Sequence, residues 1–426
     1  MWLMKDNPCT FIDLYELTMA QAYFLNKMPG RAFFEVSIRR LPENWGFFVM
    51  AGLQELEDYL KEFKFREDDV EFLRGTGFFK EGFLEFLKKF KIDIKIRAIP
   101  EGTVFFADEP IVEVEGDLIS AQILETYVLN ILGFSIITAS LAARTTLAAK
   151  GIDLMEFGLR RSQSPVAGIR AARAAQIAGF KSTSNLFAAK TLNFPCAGTM
   201  AHSFVEVFES EEKAFENFAE LYGGTAVFLI DTYEPTQGII RAAEVAARFY
   251  KEKGIKVRGI RIDSGHLEKL SKFARNYFEE QGVPFTKIFV SGDLDEYRIE
   301  DLINNGAEID GIGIGTRFIV SKYVPSVDIV YKIVQYEGKN LFKTSPDKQT
   351  RPGRKSIQRI AYSGQRSAYR QDVVSEYKSR DDDLLKPFEK ADDMPAIQKR
   401  LREELSRLEP DIKKIRNPAQ YPVIFK

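Results

Sequence analysis

Hydrophobic and polar positions change rhythm twice along this chain of 426 residues. Residues 11–26, FIDLYELTMAQAYFLN, carry apolar side chains at helical spacing, with Asp13 near the start. RAFFEVSIRR alternates as a strand does, and GLQELEDYLKEF and EGFLEFLKKF return to helical spacing. Strand-like runs follow at residues 92–99, 103–108 and 111–116, separated by Glu-Gly and Asp-Glu-Pro turns. This first third predicts an α+β domain built on a mostly antiparallel sheet. The most apolar stretch, LNILGFSIITASLAA, is too short to span a bilayer comfortably and reads as a buried helix.

From about residue 150 the pattern becomes strand–helix alternation. Short apolar runs recur as IDLMEFG, FPCAGT, TAVFLID, VRGIRID, KIFVSG, IDGIGIG and DIVYKIV, and helix-length segments fill most of the gaps. Such alternation implies parallel pairing under a cover of helices. Seven strands point to an α/β barrel with one unit missing or irregular, and an open doubly wound sheet is the alternative. After about residue 335 the alternation stops. A turn-rich basic segment looks like short strands returning to the first domain, and DMPAIQKRLREELSRLEPDIKKI reads as an amphipathic helix. The expected domains are therefore residues 1–145, 146–335 and 336–426.

Polar residues keep phase with the strands. Glu156, Arg160, His202, Asp231, Asp263, Asp293 and Thr316 all fall at or just past a strand's C-terminal end. In a parallel barrel those ends share the face where chemistry is located.

Composition narrows the function. Hydrophobic residues at 45% and charged residues at 28% are ordinary for a globular protein, and the net charge of −1 supplies no field to recruit a polyanion or an acidic membrane. No nucleic acid and no membrane partner is expected. Cys9 and Cys196 lack ligand spacing, so neither a disulfide framework nor a structural zinc site is expected. MWLMKDNPCT lacks a basic flank leading into an apolar run, so no signal peptide is visible and a cytoplasmic location is expected.

Five motifs carry candidate chemistry. RIDSG and VSGDLD end two strands with Asp263 and Asp293, which suit a metal ion or ribose hydroxyls; alone, each aspartate reads as a helix cap. GIGIGT, with Gly315 and Thr316, suits a phosphate, although a glycine-rich turn is common and this is no Walker loop. EFGLRRSQSP sets Phe157 beside two arginines, a pairing for a flat anionic ring, against the plainer reading of a core Phe with solvated arginines. His202 in GTMAHSF is one of only two histidines, with no convincing triad and no HExxH pair. A histidine beside carboxylates and a phosphate cradle fits phosphoryl or phosphoribosyl chemistry better than hydrolysis.

The ordered set DLYELTMAQAYF, EFGLRRSQSP, GFKSTSNLFAAK, GTMAHSFVEVF, RIDSGHL, VSGDLDEYRI and GIGIGTRF, spanning about residues 10–360, resembles nicotinate phosphoribosyltransferase. The resemblance implies a type II phosphoribosyltransferase fold: an irregular, incomplete α/β barrel with an N-terminal α+β domain completed by C-terminal segments. It implies that nicotinate and phosphoribosyl pyrophosphate give nicotinate mononucleotide and pyrophosphate, with Mg²⁺ and ATP, in a homodimer with shared active sites serving NAD biosynthesis. Enzymes of the same fold acting on nicotinamide or quinolinate, and a non-catalytic nucleotide-binding barrel, are the alternatives.

By the same resemblance, Tyr15 and Phe157 sandwich the pyridine ring, and Arg261, Thr199 and Arg160 face its carboxylate and nearby phosphates. Gly292, Asp293, Gly315 and Thr316 hold the phosphoribosyl part. Asp231 and Asp263 meet Mg²⁺, pyrophosphate and ribose, with Asp263 counted as catalytic, and His202 takes a phosphoryl group from ATP. Ser184 stands where related nicotinamide enzymes carry an aspartate. Three departures stand out. His266 replaces the acidic residue of the usual RIDSGD, FGLRRSQSP differs from FGLRRAQG, and GFKSTSN lacks the usual Gly-Thr-Ser-Asn turn.

Overall fold

The computed structural model describes residues 8–345, 350–363 and 368–426. The chain divides into two compact units, Met1–Ser140 with Ser326–Lys426, and Leu141–Pro325. The second boundary falls earlier than the sequence pattern places it, and one strand accounts for the difference.

In the first unit a six-stranded antiparallel sheet runs from edge to edge in the order Lys339–Asn340, Ile329–Tyr336, Arg31–Ile38, Val112–Asp117, Ile94–Ala98 and Lys386–Phe388. DIVYKIV, expected as a barrel strand, is therefore corrected: Ile329–Tyr336 pairs antiparallel with Arg31–Ile38. The reason lies upstream. A parallel strand needs a crossover of a dozen residues or more, usually helical, whereas only Thr316–Ile319 is α-helical between Ile314 and Ile329. The C-terminal segment does return to this sheet, and buried ion pairs tie it down. Arg97 joins Glu113 at 3.0 Å and Asp383 at 2.5 Å, and Lys355 joins Glu35 at 2.6 Å. Residues 103–108 contribute only the two-residue strand Val104–Phe105, paired with Phe48–Val49. The terminal helix stops at Arg407, short of the amphipathic pattern, with Pro410 just beyond.

Near the N-terminal helix Leu14–Leu25, burial forces an unusual carboxyl group. Glu16 is fully buried; its Oε1 accepts from the Thr126 N–H at 3.0 Å and its Oε2 has no partner. Burial pushes its pKa up to about 7, against the lowering effect of the Thr126 hydrogen bonds. A folded-state pKa above the unfolded value means the folded protein holds the proton more tightly. Stability from this group is full below about pH 4.5 and is lost as pH rises through about 7. Glu16→Gln is expected to remove that loss, leaving the variant more stable than the parent at pH 8 by about 2 kcal/mol. Urea titrations from pH 5 to pH 8 check it; parallel pH profiles for the two proteins would refute it.

The second unit contains a six-stranded, wholly parallel sheet ordered Ser182–Thr183, Asp153–Glu156, Gly311–Ile314, Lys287–Val290, Gly259–Ile262 and Val227–Leu229. The strand of this sheet that comes first in sequence, Asp153–Glu156, pairs with the last, Gly311–Ile314. That cyclic order belongs to a barrel, not to a doubly wound sheet, whose order reverses in the middle. The seam lies between the 182–183 and 227–229 edges. FPCAGT sits at this seam and supplies a single bridge, Thr183 to Cys196, in place of the expected strand.

Local chemistry sets the covering helices. Ser164 caps Pro165–Ile177, with proline in the first turn, and Ser210 caps Glu211–Tyr222. Pro235–Lys253 starts after Glu234, whose side chain accepts from the Gln237 N–H, and ends on Gly254 at φ +68°. Phe228, on the outer strand face, stacks on Phe215 of the 211–222 helix with ring centroids 4.9 Å apart. The inner face gathers Met155, Val227 and Phe289, with Phe157 packed against them.

The apolar run Leu118–Ala148 is, among the described residues, the one stretch long and apolar enough to cross a bilayer. Most of its apolar window, 72%, is buried inside the fold, which is the behaviour of a core helix.

Candidate active site

Strand register brings the strand ends together. Ile262 lies beside Val290 and Leu229 beside Arg261, so the next residues, Asp263, Ser291 and Asp231, emerge as neighbours. Ile314 lies beside Glu156, which sets Gly315 next to Phe157. Above these ends opens a cavity of about 520 Å³ lined wholly from the second unit. Phe157, Arg160, Thr199, His202, Arg261, Asp263, Gly292, Asp293, Gly315 and Thr316 all line it. Of the remaining sequence candidates, Asp231 lies one layer back, and Tyr15 belongs to the first unit.

The two aspartate motifs are locked together by backbone. Gly292 has φ +88°, and a Cβ there would sit 1.7 Å from the Asp263 carbonyl oxygen, so only glycine lets the two turns approach. Ser291 donates its hydroxyl to Asp263, and Asp231 Oδ2 accepts from the Asp263 N–H at 3.2 Å and the Ser264 hydroxyl at 2.5 Å. Asp231 Oδ1 is buried without a partner.

Neither aspartate caps a helix. Leu267–Glu280 begins after His266, which makes no side-chain cap, and Glu296–Asn304 is capped by Asp295 through the Arg298 N–H at 2.8 Å. Asp293 instead holds φ +51° and pairs with Arg317, which keeps its carboxyl below the usual carboxylate range. His266 is exposed.

The ring-binding side is equally built. The Phe157 N–H donates to the Ile314 carbonyl at 2.6 Å, and its ring lies over Gly313, where a Cβ would meet it at 2.5 Å. Glu156 is fully buried; it accepts from the Gly158 N–H and from the Thr183 hydroxyl at 2.5 Å, which fixes the turn that aims Phe157. Burial raises its carboxyl pKa. Arg261 donates to the Met200 carbonyl at 3.3 Å, and its Nε is buried without a partner. Burial lowers its pKa against the pull of Asp263 and Asp231, so this desolvated cation is poised for an anion.

The phosphate turn is plainer than expected. Thr316–Ile319 is only four residues long, so its dipole adds little and Gly315 and Thr316 contribute mainly their position at the cavity. Ser291 and Gly313 also line the cavity, and Thr232 meets His202, although none is a candidate from the sequence pattern; the signal for Ser291 is its place directly after the strand Lys287–Val290. A second cavity of about 380 Å³ occupies the inner face of the sheet and shares Phe157, Gly198, Thr199, Arg261 and Gly313 with the first.

Comparison with known proteins gives this geometry a family. Residues 11–133 match the nicotinate phosphoribosyltransferase N-terminal domain, and residues 152–378 match the nicotinate phosphoribosyltransferase family. The chain belongs to the nicotinate phosphoribosyltransferase family. A nicotinate phosphoribosyltransferase of Mycobacterium tuberculosis is 42% identical over 347 residues, covering 82% of this chain and 74% of that protein. One from Bacillus subtilis is 38% identical over 363 residues, covering 83% and 74%. Among solved structures, human nicotinic acid phosphoribosyltransferase superposes with a TM-score of 0.81 at 26% identity, over 97% of both chains. A nicotinate-nucleotide pyrophosphorylase from Pyrococcus furiosus gives 0.75 at 25% identity, over 94% of this chain and 95% of that one. The incomplete barrel with its N-terminal domain is thus the fold of this family.

Proposed function

We propose that this protein joins nicotinate to 5-phosphoribosyl 1-pyrophosphate, giving nicotinate mononucleotide and pyrophosphate, and so feeds NAD biosynthesis by salvage. The observation that carries the reading is the buried, under-partnered Arg261 in one cavity with Phe157 and the interlocked Asp263–Gly292 turns. Phe157 offers a face for the pyridine, and Arg261, with Thr199 and Arg160, meets the carboxylate and neighbouring phosphates. Gly292, Asp293, Gly315 and Thr316 seat the phosphoribosyl group.

The reaction needs no protein nucleophile. The pyridine nitrogen forms a bond to ribose C1 as the C1–oxygen bond breaks, and its electron pair leaves with pyrophosphate. Positive charge grows on the sugar during this exchange, and the Asp263 carboxylate stabilises it. Asp231 and Asp263 are the residues that would hold Mg²⁺. Among the described residues no three ligating side chains cluster, yet Asp231 Oδ1 is a buried oxygen lacking a partner. That fits a cation sharing its shell with substrate phosphates. Mg²⁺, when bound, supplies charge neutralisation to the departing pyrophosphate. His202 lines the same cavity and accepts a phosphoryl group from ATP, coupling hydrolysis to transfer.

The functional unit is a homodimer in which Tyr15 of one chain covers the ring held by Phe157 of the other. Phe11, Leu14 and Tyr15 are 49%, 46% and 44% exposed, an apolar N-terminal surface that a partner would cover.

Nicotinate is expected to exceed nicotinamide in kcat/KM by a factor on the order of one hundred or more. Ser184 lines the cavity and offers no carboxylate to the amide N–H₂ group, whereas a carboxylate keeps its arginine partners. Incubating the pure protein with either pyridine, phosphoribosyl pyrophosphate and Mg²⁺, with and without ATP, measures the ratio. Comparable values would defeat the assignment, and quinolinate as the preferred substrate would replace it.

A further inference from the structure

We infer that Thr232 is the positioning residue of His202, holding its Nδ1 edge so that Nε2 is the nitrogen that reacts. The inference rests on the phosphohistidine reading above and deepens it.

His202 opens the short helix His202–Glu206, and its Nδ1 lies 3.1 Å from the Thr232 hydroxyl. The ring lines the cavity, so the nitrogen left for a substrate is Nε2, across the imidazole. For Nε2 to attack, its lone pair must be free and the ring proton must sit on Nδ1. Thr232 Oγ1 then accepts that N–H.

The neighbouring carboxylate is engaged elsewhere. Asp231 and Thr232 follow the strand Val227–Leu229; Asp231 Oδ2 accepts from the Asp263 N–H and the Ser264 hydroxyl, and its unpartnered Oδ1, the oxygen assigned above to Mg²⁺, makes no hydrogen bond to His202. His202 therefore faces a hydroxyl where a catalytic dyad would place an acid. The difference matters because an ionised carboxylate only accepts, while a hydroxyl can also donate.

The step balances simply. Nε2 forms a bond to the γ-phosphorus of ATP as the bridging oxygen bond breaks, and that electron pair leaves with ADP. The ring now carries a positive charge and the Nδ1 proton. When solvent removes that proton, Thr232 turns its O–H toward Nδ1 and the phosphorylated ring stays hydrogen-bonded in its neutral form. One side chain thus serves the histidine before and after phosphoryl transfer.

Only two histidines occur in the chain, so ¹⁵N-histidine labelling yields two imidazoles, assigned by His202→Ala. In the parent protein without ATP, His202 is expected to carry its proton on Nδ1. In Thr232→Val the proton should move to Nε2, the form that free imidazole side chains prefer, and phosphorylation by ATP should slow about tenfold for one lost hydrogen bond. Thr232→Ser should restore the tautomer and return the rate to within about threefold. An unchanged thermal midpoint reports an intact fold in each variant. Isomer analysis of the phosphoenzyme should find the phosphoryl group on Nε2. A proton on Nε2 in the parent, a Thr232→Val protein phosphorylated at the parental rate, or phosphoryl on Nδ1 would each overturn the inference. A tautomer that depends on Thr232 with no phosphohistidine in any protein would support the positioning and overturn the phosphohistidine reading instead.

Discussion

Asp263→Ala and Tyr15→Ala, prepared separately, are each expected to be nearly inactive, and co-refolding the two should recover about one quarter of parental activity by dimer symmetry. The first loss follows from the position of Asp263 at the cavity, fixed by Ser291, Asp231 and Gly292, together with its proposed role of stabilising the charge that develops on ribose. The second follows from the proposal that Tyr15 supplies the far face of the pyridine sandwich to a neighbouring chain. Random pairing makes about half the dimers mixed. Each mixed dimer carries both defects in one site and leaves the other intact. Recovery near zero, with mixed dimers demonstrated by mass spectrometry, would show that Tyr15 serves its own chain's cavity or none.

His202→Ala is expected to abolish ATP hydrolysis and the stimulation of transfer by ATP, with some ATP-independent transfer persisting. In the proposed scheme, phosphoryl transfer to the protein needs this imidazole, whereas displacement at C1 does not. The comparison is between rates of nicotinate mononucleotide and ADP formation at saturating substrates. Full ATP stimulation in the variant would remove His202 from the coupling step. A purely structural histidine would instead lower the thermal midpoint while both activities fell together.

Much of the site was legible because parallel strands advertise it. A short apolar run followed by Asp, Glu or Arg marks a strand end, and barrel topology gathers those ends on one face. That phase picked out Arg160, His202, Asp263, Asp293 and Thr316, which line one cavity, and also Glu156 and Asp231, which do not line it. What stayed hidden were contacts set by register. Ser291 reaches Asp263, and Thr183 reaches Glu156, only because the strands are aligned as they are. Ser182–Thr183 was too short for periodicity to reveal, and Cys196 bridges without forming a strand. Ile329–Tyr336 misled for another reason: its apolar character suits either sheet, and only the lack of a long helical crossover before it separates the two.

The pairing of Ile329–Tyr336 with Arg31–Ile38 also has a consequence for how the chain is made. On the ribosome, Arg31–Ile38 emerges long before Ile329–Tyr336, although its other partner, Val112–Asp117, follows it early. At about 5–20 residues per second, roughly 15–60 s separate the two strands. Leu141–Pro325, whose sheet is complete within itself, leaves the exit tunnel in that interval and can fold as a unit. The earlier-made strand waits with one edge unpaired, a template for mispairing with another nascent chain. The parallel unit is thus the natural first-folded body during synthesis, and the N-terminal sheet is the part for which chaperone shielding during translation matters most.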